Sequence, residues 1–194
     1  GWRKTSVAMQ PTYAWEFRDA TGSAVVYDWV SGVAATMYGD AHSTSEGLVL
    51  DGTGDYAELT PWSMGDTFTI EIYVVAAFEA TADDVIQGLL DFGNAANNEN
   101  IYIHRRERNG SNSNEIHYSI QVAGGYIGGA AGDVFNNDFT HITMVIEPNI
   151  QKMYKDGSLI HSDTHSGALS TMTRSKHYLG KTWWTSSGGL TYNQ

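Results

Sequence analysis

EGLVLDGTGDYAELTPWSMGDTFTIEIYVV, residues 46–75, carries the pattern that decides the fold. Its longest regular run is Thr67 to Val75, where Phe68, Ile70, Ile72 and Val74 fall on one face and Thr67, Thr69, Glu71 and Tyr73 on the other. Successive strand side chains point to opposite faces, so a period of two buries one side of a sheet and leaves the other wetter. Upstream, Leu48-Val49-Leu50 and Tyr56-Ala57-Glu58-Leu59 flank Asp51-Gly52-Thr53-Gly54-Asp55. Glycines there permit positive φ, and the break reads as a hairpin loop feeding a central strand.

The same logic extends outward. Ile116, Tyr118, Ile120 and Val122 alternate, as do Ile142, Met144 and Ile146, and Lys176–Lys181 reads as the last strand. Asp156-Gly157 between Ile150–Lys155 and Ser158–Ser162 is the best hairpin signal in the chain. Tyr13–Asp19, with Trp15 and Phe17 on one face, reads as the first strand, and Gly124–Gly132 as a flexible loop. Many short strands, regular turns and no amphipathic helix give an all-β, two-sheet antiparallel sandwich.

LVLDGTGDYAEL followed by TFTIEIYV resembles the laminin-G-like jelly roll of the concanavalin A-like lectin/glucanase superfamily. Further likeness follows in order at Leu89–Gly93, Phe139–Ile142, Met153–Gly157 and Tyr178-Leu179-Gly180. The resemblance implies an extracellular or cell-surface protein in a group of lectins, adhesion modules and some glycosidases. It also implies a closing strand after Tyr178-Leu179-Gly180. In its place stands KTWWTSSGGLTYNQ, residues 181–194, which does not alternate for long. The organisation read from the chain is therefore an arm (1–12), a sandwich (13–181) and a Gly/Ser/aromatic tail (182–194). The closing strand is missing in this reading.

At 194 residues with three prolines and no polar linker, one domain is the economical solution. No cysteine is present, which excludes disulfides and thiolate metal sites. A net charge of −11 argues against nucleic acid or an anionic membrane surface as partner, and no apolar run is long enough to span a membrane as a helix. The chain starts without an initiator methionine or a signal-peptide pattern, as a processed form or a fragment would.

Glycoside hydrolysis needs two carboxylates facing each other across a sugar. Glu71 is alone on its strand, Asp83 and Asp84 point apart, and the Glu-x-Asp-x-Glu pattern of related hydrolases is absent, so no catalytic residue is assigned. Gly52–Ala57 imitates a dinucleotide fingerprint, but a strand follows it instead of the helix that chemistry needs. His141 sits where the family has a histidine on a core strand, which implies a structural role.

No metal or other cofactor is assigned. Some laminin-G-like domains bind calcium at the sandwich rim, which makes Asp51, Asp55, Asp91, Asn97 and Asn98 the oxygen donors to consider. Turn formation is the preferred role for them.

Three surface features remain. Trp183, Trp184 and Tyr126 stand beside Gly, Ser and amide-rich loops and suit a ligand or a protein interface. Arg105, Arg106 and Arg108 form a basic contact loop, with a glycosylation sequon at Asn109. Trp2, Val7 and Met9 are the anchors of an arm that could fill the missing strand position of a neighbour. The leading expectation is a non-enzymatic assembly subunit that associates with copies of itself, or with another surface protein, into a filament, sheath or matrix. The alternative is a carbohydrate-binding or adhesion module with a glycan as partner.

Overall fold

The computed structural model describes residues 11–75, 85–94, 99–106, 115–122, 125–132, 134–135, 138–165, 169–182 and 191–193. The strands are β1 (Val25–Tyr27), β2 (Ala34–Tyr38), β3 (His42–Ser43), β4 (Leu48–Val49), β5 (Tyr56–Leu59), β6 (Ser63–Met64), β7 (Phe68–Val74), β8 (Val85–Gly93) and β9 (Ile101–Arg106). They continue as β10 (Ile116–Val122), β11 (Gly125–Ala131), β12 (Thr140–Glu147), β13 (Ile150–Lys155), β14 (Ser158–Thr164), β15 (Met172–Thr173), β16 (Lys176–Leu179) and β17 (Thr191–Asn193). The large sheet has the order β1-β2-β5-β16-β8-β9-β10-β11 and the small one β14-β13-β12-β7. All their neighbour pairings are antiparallel, as a jelly-roll sandwich requires.

Alternation explains the core. Ile142, Met144 and Ile146 of β12 and Met153 of β13 face Leu90, Phe92, Ile101, Ile103, Ile116, Tyr118 and Ile120 of the large sheet, with Phe68, Ile70, Ile72 and Val74 of β7 packed against them. Burial of such side chains contributes about 1.5–3 kcal/mol each. Gly129 lets β11 approach: a Cβ there would collide with the His161 ring and the Tyr118 hydroxyl.

Four local expectations are corrected. Residues 51–55 do not close a hairpin. β4 pairs with β3, and the loop carries the chain onward to β5, between β2 and β16. Tyr13–Asp19 is not a strand: Phe17–Ala20 is a 3-10 turn, and the preceding residues are anchored at the β1–β2 turn. The Trp29 N–H donates to the Ala14 carbonyl and Trp15 Nε1 to the Val33 carbonyl. No strand among the described residues pairs with this segment. Gly125–Ala131 is a strand, paired over seven residues with β10. Its three glycines and two alanines carry too little side chain to show a period. Within the tail, Thr191–Asn193 is a strand: β17 runs parallel to Val85–Gln87 of β8, in line with β16 on the same edge.

One buried clamp ties three loops together. Glu99, with φ +64°, accepts from the Ser170 N–H (3.0 Å) and hydroxyl (3.2 Å) and pairs with Arg174 Nη2 at 3.5 Å. Arg174, fully buried, also donates Nε–H to the Glu99 carbonyl and Nη1–H to the Met64 carbonyl.

Candidate functional site: the outward face of the large sheet

Because Val26, Ala35, Met37, Ala57, Leu59, Leu90 and Phe92 point into the core, their strand neighbours point away from it. Cross-strand register assembles those neighbours into a row: Thr36 opposite Glu58, Glu58 opposite Tyr178, Tyr178 opposite Asp91, and Asp91 opposite Tyr102. A second row starts with Tyr38 opposite Tyr56, whose rings stack at 4.7 Å and 11°. Tyr178 meets Tyr56 edge-on at 5.5 Å. The Tyr56 ring thus contacts Tyr38 and also the Lys181 ammonium, 3.7 Å from its centre. Tyr38 is 40% exposed and Tyr27, on the adjoining strand, 66%.

Charge on this half of the face is arranged in pairs. Lys176 Nζ donates to Glu58 Oε1 at 3.3 Å. Hydrogen bonds to Tyr178 and to Glu58, and the charges of both, hold the lysine above its ordinary range. Burial pushes the Tyr178 hydroxyl upward, so both stay protonated at neutral pH.

Toward β9 and β10 the same face is buried and polar. Asp91, Tyr102, His104 and Ser119 are all under 7% exposed although they point away from the core. The Tyr102 and His104 rings stack at 4.4 Å, His104 stacks on His117 at 5.4 Å, and His117 Nε2 lies 3.1 Å from Glu115 Oε2. Over Gly88 and Tyr102 runs the backbone of Lys181, and the Thr182 hydroxyl donates to Asp91 Oδ2 at 2.9 Å.

At the rim, Asp40, Asp51 and Asp55 bring ligand oxygens within 4.8 Å of one another. Burial works to raise the Asp55 carboxyl, but hydrogen bonds from the Asp51 N–H, the Asp40 side chain and the Asp40 and Ala41 N–H groups outweigh it and leave it below the usual range. Asp40 is raised, chiefly by its side-chain hydrogen bond with Asp55. Gly39, at φ +75°, is required here because a Cβ would strike the Asp55 carboxylate. Calcium takes six to eight oxygens. Here three carboxylates offer one ligand atom each, fewer than the ion needs, and Asp55 also accepts from the Asp40 and Asp51 N–H groups. It is a turn closed by hydrogen bonds to Asp55.

Residues 51–190 match the laminin-G family model described as concanavalin A-like lectin/glucanases superfamily. The chain belongs to this family. No curated protein matches its sequence. Among solved structures, this laminin-G-like domain is similar to domain 4 of AbnA, an extracellular GH43 arabinanase from Geobacillus stearothermophilus, in complex with arabinotriose. There the TM-score is 0.65 at 16% identity, over 89% of this chain and 86% of that one. It is also similar to the binding domain of botulinum neurotoxin serotype G (TM-score 0.64, 13% identity, 85% of this chain and 42% of that one). A third is the binding domain of botulinum neurotoxin DC in complex with SialylT (TM-score 0.62, 10% identity, 84% and 44%). The chain thus spans less than half of those toxin domains. At such identities the likeness is one of fold.

Within this laminin-G-like domain the residues singled out from sequence scatter. Asp51 and Asp55 meet, joined by Asp40, which the sequence reading misses because it lies upstream on a separate turn. Asp91 is elsewhere, under Thr182. Arg105 is not a surface contact: it is 3% exposed on the inner face of β9, and its guanidinium donates to Gln87 Oε1 at 2.8 Å. The alternation that exposes one neighbour buries the next. Arg106 belongs to β9, opposite Ile86, and Tyr126 to β11, opposite Gln121. Trp2, Val7, Met9, Asn97, Asn98, Arg108, Asn109, Trp183 and Trp184 lie outside the described residues. His141 points away from the core, half-buried, 3.5 Å from Glu71 and opposite Tyr73. Its strand is central; its side chain is not in the core.

Proposed function

We propose that this domain is a non-catalytic, lectin-like carbohydrate-binding module that works outside the cell. Its ligand face is the outward side of β2, β5 and β16. The observation that carries the reading is the grouping there of the exposed Tyr38–Tyr56 stack with Thr36, Glu58 and Lys176. Sugars present apolar C–H faces ringed by hydroxyls. An aromatic ring beside charged and hydroxyl hydrogen-bonding groups answers both. The arabinotriose complex of the AbnA domain and the SialylT complex of the toxin domain support a glycan as partner.

Hydrolysis is disfavoured on the same face. Glu58 and Asp91 flank Tyr178 about 10 Å apart, two strand spacings. The Tyr178 side chain stands between them, Lys176 engages Glu58, and Asp91 is buried. Self-assembly, ranked first from sequence alone, has its anchor residues Trp2, Val7 and Met9 outside the described part, and nothing described here supports it.

A glycan array followed by calorimetry on its hits tests the proposal. Tyr38→Ala should weaken the best hit at least tenfold, with the melting temperature held within a few degrees because Tyr38 lies at the surface. A protein that binds no glycan, or a variant that binds as well as the parent, refutes it.

A further inference from the structure

We propose that the carbohydrate taken by this face is acidic, with Lys181 receiving its carboxylate; the inference rests on the glycan-binding reading above. The two lysines of the face differ in their engagement. Lys176 has Glu58 at 3.3 Å. Lys181 has two rings, Tyr56 at 3.7 Å and Tyr178 at 5.3 Å from the ring centres, and no carboxylate within ion-pair distance among the described residues.

Cation–π attraction fixes an ammonium in place but supplies no acceptor for its N–H groups. Half-buried, Lys181 has lost part of its hydration without gaining a counter-charge among the described residues. A ligand oxygen anion would supply charge and acceptor together, through a hydrogen bond of the stronger, charge-assisted kind. In a chain of net charge −11, a cation without an acidic partner among the described residues marks a local preference that the protein as a whole does not share.

The position is built in. Gly180, at φ +77°, turns the chain out of β16 and over the face, and a Cβ there would strike the Leu50 side chain. Lys181 and Tyr38 both contact the Tyr56 ring and are separated by no more than the 4.7 Å and 3.7 Å steps laid end to end. A sugar ring against the exposed Tyr38 and an acidic group at Lys181 would therefore fall within the span of one short oligosaccharide.

Calorimetry with uronic-acid and sialic-acid oligosaccharides, each beside its carboxyl-reduced neutral counterpart, tests this on the full chain. The parent should prefer the acidic member about tenfold, the size of one charge-assisted hydrogen bond. Lys181→Gln should erase that preference while leaving affinity for the neutral member unchanged, and Lys181→Arg should keep it. Equal binding of both members, or a preference that survives Lys181→Gln, overturns the acidic-ligand inference and leaves glycan binding standing. Binding of neither member of any pair, with no hit on the array, overturns both.

Discussion

Acidification from pH 7 to 4.5 should destabilise this domain through His177. The residue is fully buried, stacked on Phe92 at 4.4 Å and edge-on to Trp62 at 4.2 Å. Neither of its ring nitrogens has a hydrogen-bond partner among the described residues. Burial, helped by the nearby Arg174 charge, lowers its pKa from 6.5 to about 3. The unfolded chain takes up a proton near 6.5, whereas the folded one refuses it until about 3. Stability from the neutral ring is thus complete above pH 6.5 and declines as pH falls toward 3. The slope is about 1.4 kcal/mol per pH unit, so about 2.7 kcal/mol is lost at pH 4.5. For a chain of this size that is a fall of roughly 5–10 °C in melting temperature. Urea unfolding of the parent and of His177→Phe at pH 7.5, 5.5 and 4.5 measures it. The phenylalanine variant should be at least as stable as the parent at pH 7.5, since it removes two unsatisfied polar atoms. It should also lose about 2.7 kcal/mol less at pH 4.5. Parallel pH profiles for the two proteins would refute the reasoning.

Arg174→Met should cost about 3–5 kcal/mol in urea unfolding, because it leaves the 7%-exposed Glu99 without its counter-charge. Asp55→Asn should cost about 1–3 kcal/mol by weakening the acceptor for the Asp40 and Asp51 N–H groups. Because the triad is a hydrogen-bonded turn, EDTA should leave the parent melting temperature unchanged, and a fall on chelation would show that an ion is held there after all.

Runs with large side chains at every second position declare themselves. β7, β10 and β12 are legible because Ile, Met, Phe and Tyr alternate with Thr, Glu and Ser, and the Asp156-Gly157 hairpin because both residues accept positive φ. β11 is hidden by its glycines. The segment around Trp15 is misread because its apolar spacing suits a strand while no strand among the described residues pairs with it.

The candidate site was not legible in the same way. Tyr38, Tyr56, Tyr178 and Lys181 are separated by as much as 143 positions, and each alone is an ordinary strand or strand-end residue. Arg105 is a second case, a cation that looks exposed in a basic run and is buried by strand parity. What the sequence alone determined is the β-sandwich and the inward face of its main strands, since side-chain alternation and turn propensity act between near neighbours. Only the tertiary structure decided which outward residues meet. The order β2-β5-β16-β8 brings together strands from distant parts of the chain, and cross-strand register is set by the packed sheet as a whole.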